Sequence, residues 1–308
     1  MYDVRIETDS ASPNGIRLTT MVVTLPRIVL AELNTHRMFS RNSASSRAIP
    51  VKRQLERIET DPFLPVYWGR NQSGMQAAEE LTGDMQDDAR REWLAARDDS
   101  VVHAENLREV GLHKQISSRL LEPFMWQTVV ITATEWDNFF ALRANPDAQP
   151  EFRRAAEMML EAYRSNQPVR LDEGYWHLPF IQPDEYDGSW EFTKQARMVS
   201  AARCARVSYL THDGRRDHGA DITLYERLTT SGHMSPLEHV ATPFTATERQ
   251  AREALATHAR LVGAAMGLDE VTIEQLVDAT AFNGNFRGWT QLRKTMQDES
   301  DFALFRKE

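Results

Sequence analysis

The sequence predicts an α+β protein, a mixed sheet with flanking helices and additional helical segments, and three observations carry that expectation. Leu18, Thr20, Val22 and Thr24 alternate with Thr19, Met21 and Val23, the period of a half-buried strand. Gln127 to Thr132 is a short β-branched run of the kind that forms a buried strand. Around these, apolar residues recur at near-helical spacing over several long stretches.

Taken in order, the first strand spans Gly15 to Leu25 and stops at Pro26, which suits the first turn of a short helix running to His36 and Arg37. Ser40 to Ser46 reads as a loop, because serine and asparagine side chains compete for helical hydrogen bonds. Pro, Trp, Tyr and Gly make 61–74 an irregular connection, followed by an amphipathic helix from Met75 to Arg97. Val102, Leu107, Val110, Leu112, Ile116 and Leu120 mark a second helix from Val101 to Leu121, closed by Pro123. After the strand at Gln127, Thr134 and Asp137 are spaced as a capping pair for a helix from Glu135 to Arg143, and a further helix runs from Pro150 to Ser165. Residues 166–190 have the composition of a linker, so the chain is expected as a single domain over 1–308 that divides into lobes 1–165 and 191–308. Ala201 to Tyr209, Ile222 to Ser231 and two stretches between Thr247 and Ala279 complete the helices.

Composition narrows the function. Of 308 residues, 41% are hydrophobic and 26% charged, the balance of a globular protein. No apolar run approaches the roughly 20 residues of a membrane span, and Met1 to Ser10 lacks the apolar core of a secretory signal, so a cytoplasmic location is expected. Cys204 is the one cysteine, which excludes intramolecular disulfides and Cys-x-x-Cys redox chemistry; any redox step needs a borrowed cofactor. The net charge of −9 opposes general nucleic-acid binding, yet Arg37, Arg41, Arg47, Lys52, Arg53 and Arg57 crowd one segment, which suits a local anionic ligand.

The densest polar cluster runs from Thr35 to Arg47, where arginine forks, serine hydroxyls and loop N–H groups together match the acceptor directions of a phosphate. A solvated basic loop is the plain alternative. Arg119 and Arg143 stand near helix ends, where an arginine also caps carbonyls. His233, Glu238 and His239, with His212, Asp213, Asp217 and His218 nearby, raise a metal site, although their spacing fits no metal motif. Asn285 to Lys294 mixes aromatics with cations and reads equally as an amphipathic helix. Cys204 sits between Arg203 and Ala205 and reads as a buried small residue rather than a nucleophile.

The segment His36-Arg37-x-x-Ser40-x-Asn42-x-x-Ser45-x-Arg47 resembles the Arg-His-Arg-x-x-Ser-x-Asn-x-x-Ser-x-Arg signature of flavin-dependent thymidylate synthases, with Thr35 in place of the first arginine and Ser43 where relatives carry a glutamate. Ser118-Arg119-Leu120-Leu121-Glu122-Pro123 is similar to the family's Ala-Arg-x-x-Leu-Pro block. Asn138 to Arg143 with Ala148-Gln149-Pro150-Glu151 is similar to its Asn-Phe-Leu-x-Leu-Arg block. Ala205-Arg206-Val207-Ser208-Tyr209 and His233-Met234-Ser235-Pro236-Leu237-Glu238-His239 resemble blocks that relatives carry before the arginine signature, so the order is permuted.

That resemblance implies a flavin-dependent thymidylate synthase-like fold, and transfer of a one-carbon unit to C5 of a pyrimidine deoxynucleotide, dUMP to dTMP. FAD would be the cofactor, methylenetetrahydrofolate the carbon donor and NADPH the reductant, in a homotetramer with active sites between subunits. Glu32, Ser43, Ser45, Ser46, Arg47, Arg119 and Arg143 would bind the nucleotide, with Arg143 and Ser45 the catalytic pair. His36, Arg37, Met38, Asn42, Asn138, His233, Ser235 and Glu238 would face the flavin or folate. Two alternatives accompany this reading: hydroxymethylation of dUMP or dCMP for modified phage DNA, which Glu32 invites because a carboxylate accepts from a cytosine amino group, and a non-catalytic nucleotide or RNA binder using the Arg/Ser loop.

Overall fold

The computed structural model describes residues 1–45, 48–185, 190–207, 216–297 and 299, with 190–192 given by backbone alone. Strand β1 (Asp3–Ala11) leads by a tight turn into β2 (Arg17–Pro26), and a 3-10 turn with the short α1 (Leu30–Leu33) returns the chain to β3 (Ser40–Ser43). Helices α2 (Val51–Thr60), α3 (Asp84–Glu109) and α4 (Lys114–Ser117) precede a 3-10 turn at Ser118–Phe124 and strand β4 (Trp126–Ala133). Then come α5 (Asp137–Arg143), α6 (Pro150–Ser165), β5 (Val169–Arg170), α7 (Trp190–Arg206) and α8 (His218–Thr230). The chain closes with β6 (Ala241–Pro243), α9 (Ala246–Ala265), α10 (Glu270–Ala279), β7 (Phe282–Asn283), β8 (Phe286–Arg287) and β9 (Trp289–Gln291).

Five strands form one mixed sheet in the order β3-β4-β2-β1-β5, antiparallel except for β5, which runs parallel to β1. Side chains alternate between its faces. Met21, Val23, Leu25, Val129, Ile131 and Ala133 point to one side, where Phe139, Phe140, Phe152, Ala155 and Met159 of α5 and α6 cover them. Val22 and Val130 point to the other, under Phe180, Cys204 and Val207. The same second face carries Thr20, Thr24, Thr128 and Thr132, paired across β2 and β4.

Three local expectations are corrected, and one strand is added. Ser40–Ser43 is an edge strand, not a loop: its backbone pairs with β4, and the Ser40 and Asn42 side chains are buried. The two helices expected on either side of residue 98 are one 26-residue helix, because nothing between Arg97 and Val101 halts it and the breaks fall at Gly83 and Gly111, both with positive φ. β1 was not expected, although Val4 and Ile6 alternate with Asp3, Arg5 and Glu7 and pack against the core beneath the sheet. Thr134 does not cap α5; its hydroxyl accepts from the Arg287 backbone N–H at 3.0 Å and so docks β8. Helix α6 falls at the expected residues, and α7 begins at Trp190, where the expected linker ends and well before the expected helix start at Ala201.

Candidate functional site

Arg143 ends α5 and reaches back over α1. Its Nη1 donates to Glu32 Oε2 at 2.8 Å, its Nε donates to His36 Nε2 at 3.1 Å, and its guanidinium lies 5.0 Å from the Phe152 ring centre. A guanidinium has five N–H groups, so these two bonds leave three for a ligand. Because His36 Nε2 accepts, the neutral ring carries its proton on Nδ1. Burial, then the Arg143 and Arg41 cations, push the His36 pKa down to about 4, so the imidazole is neutral near pH 7. Phe39 and Phe139 flank it. Arg41 is turned inward, donating to the Leu33 and His36 carbonyls, and braces the turn that presents His36.

On β3, Ser40 gathers residues from the far end of the chain. Its hydroxyl bonds Glu238 Oε2 at 3.0 Å, Gln291 Nε2 at 3.1 Å and the Asn285 amide at 3.1 Å. Gln291 Nε2 also reaches the Glu238 carbonyl at 3.1 Å, and Asn285 Nδ2 donates to the Met38 carbonyl at 3.0 Å. Arg293 clamps the other Glu238 oxygen. Gly284, at φ 66, makes room for this, since a Cβ there would collide with the Gln291 carboxamide. Residues permuted in sequence thus meet the arginine-signature segment in space.

The other sequence candidates divide by exposure. Arg37, Met38, Asn138, His233 and Ser235 present their side chains to solvent, with His233 Nδ1 held by Ser231 Oγ at 2.9 Å. Among the described residues Arg37 has no ion pair. Asn42 is buried, and Ser43 and Ser45 are half-buried at the head of the loop. A cavity of about 240 Å³ opens beside that loop, lined by Ala44, Ile49, Arg57, Asp61, Trp126 and Thr128. Arg119 is exposed and paired to Glu122 at 2.6 Å, a carboxylate it shares with Arg27, so within one chain Arg119 and Arg143 hold separate partners. Ser46, Arg47, Ser208, Tyr209, His212 and Asp213 lie outside the described residues.

Cys204 is fully buried against the sheet, and burial pushes its thiol pKa well up, which keeps it protonated and inert. Its neighbouring arginines are spent elsewhere: Arg203 pairs with Glu185 and Asp221, and Arg206 with Asp221. The Arg203 hydrogen bonds hold the Glu185 carboxyl down at about 2. Among the described residues no group of three or more His, Cys, Asp or Glu could hold a metal ion, and no helix is long and apolar enough to cross a membrane. Asn285 and Gln291, which sequence reasoning left in an undecided aromatic-cationic segment, belong to the site; that segment folds as β8, β9 and a 3-10 turn rather than a helix.

A family model described as thymidylate synthase complementing protein matches residues 11–169, which hold the arginine signature, Arg119 and Arg143 but not the block around Glu238. Two solved structures of a UMP/dUMP methylase PolB from Streptomyces cacaoi, one bound with 5-Br dUMP and one with 5-Br UMP, are similar to this chain at 17% identity. They cover 54% of it and 91% and 89% of their own chains, with TM-scores of 0.41 and 0.45. No curated protein matches the sequence.

Proposed function

The chain belongs to the thymidylate synthase complementing protein family, and from that premise we propose that it alkylates a pyrimidine deoxynucleotide monophosphate at C5, with dUMP to dTMP as the reaction. It is a thymidylate synthase-like methyltransferase. The observation that carries the substrate reading is Arg143, anchored by Glu32 and His36 with three N–H donors to spare. A planar base offers carbonyl acceptors to such a fork. Arg143 then stabilises the enolate-like charge on the pyrimidine carbonyl that makes C5 nucleophilic, charge that is discharged as C5 bonds to carbon before C5 gives up its proton; such a preorganised donor lowers a barrier most in a dry site. Neutral His36 fixes the guanidinium without competing for that charge. Ser45, with Ser43, Ser46, Arg47 and Arg119, supplies hydroxyl, backbone and guanidinium donors for the phosphate.

The exposed donors Arg37, Asn138, His233 and Ser235, together with the Ser40–Glu238 cluster, suit a large anionic cofactor, for which FAD is the candidate. Flavin would supply the hydride, with methylenetetrahydrofolate giving the carbon and NADPH the electrons. Met38 and Asn42 frame the same edge of the sheet. The family resemblance implies a homotetramer, and the exposed Val110 (85%) and Ile116 (53%) would suit contact with a second copy of this chain.

A second reading is dCMP as substrate and hydroxymethylation as outcome. It rests on Glu32, whose second oxygen has no partner among the described residues and would accept from the cytosine amino group. Anaerobic incubation with NADPH, methylenetetrahydrofolate and either dUMP or dCMP, with products read by mass, tests both. A methylated dUMP supports the first reading, a modified dCMP supports the second, and no modified nucleotide from a folded, flavin-loaded protein refutes both.

A further inference from the structure

Five side chains outside the proposed nucleotide and flavin contacts form one unbroken line across the second face of the sheet. Ser10 Oγ meets His177 Nδ1 at 2.8 Å, and His177 Nε2 meets Thr20 Oγ1 at 2.8 Å. Thr20 Oγ1 meets Thr132 Oγ1 at 2.7 Å, and Thr132 Oγ1 meets His239 Nδ1 at 2.7 Å. Ser10 is 2% exposed and the other four are 0% exposed. At the far end His239 Nε2 is buried and has no hydrogen-bond partner among the described residues.

Counting protons orders the line. Both rings are neutral, each with one N–H, and each hydroxyl has one O–H. If the bonds run from Ser10, its O–H donates to His177 Nδ1, His177 Nε2–H donates to Thr20, Thr20 donates to Thr132, and Thr132 donates to His239 Nδ1. Every proton is then used except His239 Nε2–H. If they run the other way, the Ser10 O–H and the His239 Nε2 lone pair are both left unmet. An unsatisfied buried polar group costs about 1–3 kcal/mol, so the first sense is favoured.

The line ends where the site begins. Ser40 and Thr132 are directly opposed on β3 and β4, and the consecutive residues Glu238 and His239 bond one to each. The level of His239 on the sheet therefore sets the level of Glu238, one peptide away. We propose that the line is a hydrogen-bond relay of fixed sense, from Ser10 to His239, that holds His239 as its Nε2–H tautomer and makes it the positioning residue for the Glu238 carboxylate. This rests on the flavin reading only through the role given to Glu238. Burial holds both His177 and His239 near pKa 3, so neither ring protonates and breaks the order near neutral pH.

Nitrogen-15 spectra of the histidine rings in the full chain test the relay without any ligand: His177 and His239 should both show the neutral Nε2–H form. Thr132→Val keeps the shape and removes the donor; His239 should then lose its single tautomer, and FAD affinity, read by flavin fluorescence, should fall about tenfold. Thr132→Ser should restore both. An Nδ1–H His239 in the unsubstituted protein overturns the proposal, as does a folded Thr132→Val protein with the tautomer or the FAD affinity unchanged. A protein that binds no FAD at all refutes the flavin reading, while the ring spectra and the serine rescue still decide the relay; the unsubstituted spectrum decides it even where Thr132→Val does not fold.

Discussion

On one face of the sheet, Met21, Val23, Leu25, Val129, Ile131 and Ala133 meet Phe139, Phe140 and Phe152 in a layer of interlocking apolar and aromatic side chains. On the other, Ser10, Thr20, Thr132 and Ser40 meet His177, His239, Glu238 and Gln291 through hydrogen bonds. The first face needs volume filled and tolerates many fillings. The second needs each donor opposite its acceptor, because a buried polar group without its partner costs more than the bond it makes. An apolar face supplies stability, and a polar face fixes which residue of the permuted C-terminal block sits on which strand.

Acid should separate the faces most strongly. His177 and His239 on the polar face have pKa about 3, and His36 beside the aromatic layer about 4, against 6.5 in a free chain. Below pH 6.5 the unfolded chain takes up these protons before the folded one does, so stability is fully present above 6.5 and falls as pH drops toward 3. The expected loss is on the order of several kcal/mol, visible as a falling urea midpoint, with about a third of it abolished in His177→Gln. A midpoint independent of pH between 7 and 5 would break the comparison.

On the aromatic face, Phe152→Ala removes a fully buried ring and should cost about 3–5 kcal/mol in urea unfolding while leaving the His239 tautomer unchanged. Arg143→Ala, at the margin between the layers, should lower turnover about a hundredfold with little change in stability. The smallest effect is expected from Thr24→Val. Thr24 and Thr128 bond at 2.9 Å on the polar face but stand outside the relay, so the loss should be about 1 kcal/mol, with no change in ring spectra.

How much of this the sequence revealed follows the same division. The aromatic face was readable because its residues recur at strand and helix periods, which is why α6 and β4 fall where expected. His36 and Arg143 were legible through two separate motif blocks and Glu32 as a residue just before the first, and in the structure Arg143 bonds the other two. The polar face was not legible. Ser40–Ser43 has a loop's composition and becomes a strand only because β4 and the C-terminal residues satisfy it. Thr20 and Thr132 read as ordinary β-formers, and His177 lay in a stretch taken for linker; partners more than a hundred residues apart leave no periodic trace.

The proposed flavin site lies where the Glu238 block meets β3 on the polar face. FAD titration of the unsubstituted protein and of Glu238→Ala, followed by flavin absorbance and fluorescence, tests it most directly. FAD should bind saturably and turn the protein yellow, and Glu238→Ala should weaken that binding at least tenfold without unfolding the chain. Undiminished FAD binding by a folded Glu238→Ala protein would contradict it.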